Sequence, residues 1–220
     1  MESYNNKDKR IIHTFELLFN YREISPDLEN ILIKWFDLNR KLKFPIQGHF
    51  SLTYNSKSYL EHNFLQRINS IEGFHRQIFD SFYVKTKEYN IIKQELNNAI
   101  PLNLNKSFKQ ALKSRINFGN EYSLRKRLDQ IYKEYCKVLS LDYKKIKKEI
   151  NPIVDTRNYL VHQDKNSKEN ILSNQTILLA NYRLKEITIY LILNEIIENK
   201  KMLKKIMTRH QPPFLKKSII

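Results

Sequence analysis

The residues best equipped for chemistry fall within ten consecutive positions, Asp155-Thr156-Arg157-Asn158-Tyr159-Leu160-Val161-His162-Gln163-Asp164. Arginine keeps its charge at any physiological pH, and its planar fork matches phosphate oxygens. Histidine exchanges a proton near neutrality. Those two tools suit phosphodiester transfer on RNA, which carries its own nucleophile in the 2′-OH. Such cleavage needs a base for the 2′-OH proton, an acid for the leaving 5′ oxygen and a cation for the developing charge. It needs no metal or other cofactor, and it spares DNA, which lacks the nucleophile. Asn158 is placed to orient either group, and Asp155 and Asp164 are the supporting carboxylates. A plainer reading stands beside this one. Arg157 pairs with Asp155 or Asp164, and His162 is a surface or capping residue. An arginine followed five positions later by a histidine is by itself a common chance pattern.

The spacing is informative. On an ideal helix, five positions correspond to roughly 140° of rotation and about 7.5 Å of rise, so Arg157 and His162 do not share a face. Either the helix is irregular near Asp164, or the pair is completed by a second copy of the chain across a two-fold axis. Asn151-Pro152 marks the start of the short helix carrying the stretch, and Ile153, Leu160 and Val161 are the apolar positions that could anchor it.

The remaining chain reads as helical scaffold. Only 3 glycines and 6 prolines interrupt 220 residues that are 41% hydrophobic, which favours long helices over a many-turned β fold. Apolar spacing predicts helices over residues 11–19, 28–42, 56–82, 86–98, 107–118, 123–139, 141–150 and 171–198. Ser25-Pro26 reads as a helix start, and Phe44-Pro45-Ile46-Gln47-Gly48 as a stop. The stretch 49–54 is ambiguous and could be extended. Residues 164–168 read as a polar loop. The fold class is therefore all-α, a helical bundle with extra short helices. We divide it into a lead-in over 1–50 packed on the main domain, a helical domain over 51–200 and a basic tail over 201–220.

Charge points to partners. Lys and Arg number 39 against 23 Asp and Glu, a net charge of +16, which attracts polyanions. Arg125, Lys126, Arg127, Lys144 and Lys148 are the candidate RNA contacts, although runs of this kind are most often solvated helix faces. Glu72, His75 and Arg76 lie on one predicted helix. The first and last form an i,i+4 pair that suits a structural salt bridge as well as a functional role, and His75 reads as a packed histidine. The single cysteine, Cys136, excludes an internal disulfide and reads as a small packed side chain. The six histidines show no metal-ligand spacing, so no metal is expected. With neither a signal peptide nor a membrane span legible, the expected location is cytoplasmic.

Thr-Arg-Asn-Tyr-Leu-Val-His-Gln-Asp closely resembles the signature of HEPN domains, and its Thr-Arg-Asn-Tyr-Leu-x-His form resembles the ApeA-like branch. Upstream, Tyr59-Leu60-Glu61-His62-Asn63-Phe64-Leu65 and Ile71-Glu72-Gly73-Phe74-His75-Arg76 are similar to that branch's first long helix. Trp35-Phe36 resembles the segment before it, so the resemblance spans about residues 30–195. It implies a bundle that dimerises around the signature. It also implies metal-independent endoribonuclease activity, often in prokaryotic defence or toxin–antitoxin systems, with Arg157 and His162 as the catalytic pair. An antitoxin or regulatory protein is the further partner it implies. Many HEPN members are non-catalytic RNA-binding or protein-interaction modules, which is the competing reading.

Overall fold

The protein is represented by a computed structural model that describes residues 17–54, 58–163 and 170–219. Among these, regular structure is helical apart from one isolated antiparallel bridge, Phe82 to Glu121. The elements are α1 (Tyr21–Ile24), α2 (Leu28–Lys41), α3 (Lys43–Tyr54), α4 (Leu60–Ile78), α5 (Thr86–Asn98), α6 (Lys106–Phe118), α7 (Leu124–Leu139), α8 (Tyr143–Ile146), α9 (Ile150–His162), α10 (Asn174–Ile196) and α11 (Lys200–His210). Short 3₁₀ turns precede α2, link α8 to α9 and follow α11.

The core is built around α10. Ile177, Ala180, Leu184, Ile187, Leu191 and Ile196 are buried on several of its faces, as expected of a helix surrounded by others. Its most extensive neighbour is α4, which presents Phe64, Ile68, Ile71 and Phe74, all essentially inaccessible. Burying one such side chain fully is worth roughly 1.5–3 kcal/mol. On the other side α7 supplies Leu128, Ile131, Tyr132 and Tyr135, and packs against α9, α4 and α11.

Two expected boundaries are corrected. Ser25-Pro26 opens the 3₁₀ turn that leads into α2, but Ser25 gives no N-terminal cap and instead ends α1. Asn20 caps α1 one turn earlier, its side chain accepting from Glu23 N while Glu23 returns a bond to Asn20 N. The stretch expected as a stop, and the ambiguous 49–54 after it, form α3. Pro45 occupies the first turn, where no N–H is needed. Gly48 is required by close approach, because a Cβ there would lie 2.5 Å from both Gln66 Nε2 and Ser70 Oγ on α4. On α2, Leu32 and Phe36 are exposed, and the inward stripe runs through Leu28, Ile31, Trp35 and Leu38. The helix expected over 11–19 lies mostly outside the described residues, and Leu17–Phe19 at its end are not helical.

Residues 201–220, expected as a basic tail, are corrected as well. α11 buries Leu203, Ile206 and Met207, and Leu215 and Ile219 beyond it are also buried. This C-terminal segment is fastened by a buried ion pair. Arg183 Nε and Nη2 donate to the two carboxylate oxygens of Glu149 at 3.1 and 3.2 Å. The same guanidinium donates to Leu215 O and Lys217 O, each at 2.7 Å, and Ile219 N donates to Glu149 at 3.1 Å. Burial works against the Arg183 charge, but the adjacent carboxylate more than offsets it and raises the guanidinium's pKa.

Candidate active site

α9 starts from the Lys147–Glu149 turn with Pro152 in its first turn, and Asn151 makes no capping bond. Ile153, Val154 and Thr156 are buried and Leu160 is partly buried, so these fasten the helix. Val161, expected among the anchors, is exposed. Thr156 Oγ1 accepts from Leu172 N at 2.9 Å, tying the start of the next segment to α9. The helix stays regular through His162 and stops at Gln163, whose left-handed backbone (φ 50°) returns its N–H to Tyr159 O at 2.7 Å.

Regularity from Arg157 to His162 leaves the two residues five positions apart on one helix and off each other's face. Arg157 and Asn158 are half-buried and face a cleft of about 370 Å³ between α9, α4 and the start of α7. His162 is exposed in the last turn and does not line that cleft. Asp155 pairs with Arg125 at 2.9 Å rather than with Arg157. Asp164 lies outside the described residues.

Four arginine and glutamate side chains line the cleft besides Asn158: Glu72, Arg76, Arg125 and Arg157. Their pairing is uneven. Arg76 bonds Glu72 at 3.0 Å and also Glu121, and Arg125 bonds Asp155. Among the described residues, Arg157 has no carboxylate partner. Its Nη1 donates to Asn158 Oδ1 at 3.2 Å, and its Nε is buried without a partner. Among the described residues, a guanidinium held by a neutral amide, beside two paired with carboxylates, has donors to offer an incoming anion. Glu72 and Arg76 thus form the expected salt bridge and also line the cleft.

His75 does not line the cleft. It is fully buried, stacked on Phe79 with centroids 4.8 Å apart. Arg127 Nη1 donates to its Nδ1 at 3.1 Å, which leaves Nε2 to donate to Gln130 Oε1 at 2.9 Å. Burial lowers its pKa, so it is held as a neutral packing group. Arg127, expected on the outer face, is 1% exposed. It also bonds Tyr122 O, Ser81 Oγ and Glu121, and so cannot meet RNA. Arg127, Ile131 and Tyr135 are spaced by four on α7, and that periodicity was the signal for an inward arginine. Lys126, Lys144 and Lys148 are exposed and line a neighbouring groove of about 520 Å³ with Arg125. Cys136 is buried, and burial pushes its thiol up to about 11, the opposite of activation.

Among the described residues there is no group of three His, Cys, Asp or Glu side chains able to hold a metal ion. No described helix is long and apolar enough to cross a membrane. A family model described as Apea-like HEPN matches residues 65–212, more than half of the chain and inclusive of Arg157 and His162. Its span starts after Trp35-Phe36 and extends beyond the expected end near 195. Comparison with curated proteins and with solved structures finds no significant match.

Proposed function

The chain belongs to the Apea-like HEPN family, and from that premise we propose that it is a metal-independent endoribonuclease whose site is completed by two copies of the chain. Arg157 binds the scissile phosphate and stabilises the charge that builds on its oxygens. Asn158, bonded to Arg157 Nη1 at 3.2 Å, fixes the fork. His162 moves the protons. A base removes the 2′-OH proton, O2′ attacks phosphorus, and the bond to the 5′ oxygen breaks as that oxygen gains a proton. The products are a 2′,3′-cyclic phosphate and a 5′-OH. The biological setting we propose is prokaryotic defence or a toxin–antitoxin pair, with a separate protein restraining the activity.

The observation that carries this reading is the cleft in which Arg157, alone of three arginines, lacks a carboxylate partner among the described residues. The exposed His162 on the same regular helix supports a site shared across a two-fold axis, because it does not line the cleft that holds Arg157.

The test is cleavage of mixed RNAs in EDTA by wild type, Arg157→Ala and His162→Ala. Removing the phosphate cation should slow cleavage roughly 10²–10³-fold, and removing the proton carrier roughly 10²–10⁴-fold. Equal residual cleavage by all three folded proteins would reject the assignment. RNA binding without cleavage by the wild type would favour the non-catalytic module.

A further inference from the structure

Three clefts adjoin one another along the start of α7. The cleft holding Arg157 shares Ser123 and Arg125 with the groove on one side. It shares Tyr122 with a third cleft on the other, of about 650 Å³ and lined by Asp80, Phe82, Tyr83, Lys85, Thr86 and Glu88. The two flanks differ in chemistry. On the first, five cations (Arg125, Lys126, Lys144, Lys147 and Lys148) face one carboxylate, Asp129. On the second, Phe82 and Tyr83 are 47% and 54% exposed, a poor use of aromatic surface unless something covers it.

The aromatic flank is rigidly mounted. Tyr83 N donates to Asn120 O at 3.0 Å and Tyr122 N to Ser81 O at 2.7 Å. The Asn120 amide accepts from Val84 N and donates to Val84 O. Tyr83 and Tyr122 meet edge to face with centroids 4.8 Å apart. Aromatic faces held in place beside a cationic groove are what a single-stranded nucleic acid needs, since every base has a stacking face and every linkage a phosphate.

We infer that the three clefts form one track for single-stranded RNA, with bases stacked on Tyr83 and Phe82 on one side of the Arg157 seat and phosphates held by Lys144 and Lys148 on the other. The track rests on the proposed reading of Arg157 as the phosphate seat. It adds two subsites and a polarity, because stacking and charge lie on opposite sides of the scissile linkage. A duplex, whose bases are already stacked on one another, cannot use the aromatic side.

Binding is read by fluorescence anisotropy with a fully 2′-O-methylated ten-nucleotide RNA, which has no free 2′-OH to attack. Proteins are wild type, Lys144→Ala/Lys148→Ala, Tyr83→Leu and Phe82→Ala/Tyr83→Ala, each checked for native helicity. The lysine variant should bind more weakly and reduce the slope of log K against log salt by roughly 1.4, at about 0.7 per single-strand phosphate contact. The aromatic variants should bind roughly five-fold or more weakly with an unchanged slope, and that loss should vanish on an abasic strand. A matched duplex should bind the wild type more weakly than the single strand does. Wild-type affinity and slope in both classes of variant, or equal binding of duplex and single strand, overturns the track. Cleavage of an unmodified RNA by the wild type is scored separately. Cleavage with unaffected variant binding sinks the track alone, and the expected binding pattern without cleavage sinks the ribonuclease reading alone.

Discussion

Glu186 lies on α10, 9% exposed, and burial pushes its carboxyl from 4.5 up to about 7, with Lys185 and Arg183 offsetting only part of the effect. A raised carboxyl pKa gives stability that is complete below the unfolded value of 4.5 and lost as pH rises through 7. Relative to the neutral form, the fold therefore carries a penalty of about 1 kcal/mol at pH 5 and about 3 kcal/mol at pH 8, at 1.36 kcal/mol per pKa unit. Glu186→Gln keeps the shape and removes the ionisation. Urea denaturation of both proteins at pH 5 and pH 8 should show the variant's advantage growing by about 2 kcal/mol between the two. Other titrating groups cancel in the comparison. His49, for example, is lowered to about 4 by burial and by Arg67 and Lys185, so it weakens the fold as pH falls from 6.5. An advantage equal at both pH values would show that Glu186 ionises in the fold as readily as in the unfolded chain, and would refute the upward shift.

Mixing inactive Arg157→Ala with inactive His162→Ala tests the shared site. After exchange half the dimers are mixed, each with one of two arginine–histidine sets intact, so about a quarter of wild-type cleavage should return. A mixture as inert as its parents would place each pair within one chain. Arg183→Met should destabilise by about 3–5 kcal/mol, because it strands the Glu149 carboxylate. Adding Glu149→Leu should recover much of that loss, and chemical denaturation measures both. Cys136 should resist thiol reagents in the native protein at pH 8 and react fully once denaturant unfolds it, as followed by mass spectrometry.

The sequence announced α5, α6 and α7 closely, because local signals and tertiary packing agree there. Ser123 caps α7, its oxygen accepting from Lys126 N, and Asn105 does the same for α6. It misdirected at α3, where proline and glycine suggested a stop. Pro45 is harmless in a first turn, and Gly48 is demanded by the surface of α4, a partner that no local window contains. At the site, the cluster of Arg157 and Asn158 was legible from residue type alone. Glu72 and Arg76 were candidates too, and both line the cleft. Two things were not legible: Asp155 turns to Arg125, and Arg127 dives under Tyr122. Each depends on where α7 crosses α9 and α4, a packing relation that spacing within one helix cannot encode.

The fastening of Arg183 and Glu149 by Leu215, Lys217 and Ile219 also bears on the timing of synthesis. Glu149 immediately precedes α9, so the turn that launches the site-bearing helix is clamped by residues made some seventy positions later. Until that segment has left the ribosome, a buried arginine and a buried glutamate lack part of their hydrogen-bonding shell. The clamp on the turn that launches the helix bearing Arg157 is therefore complete only once that segment has emerged.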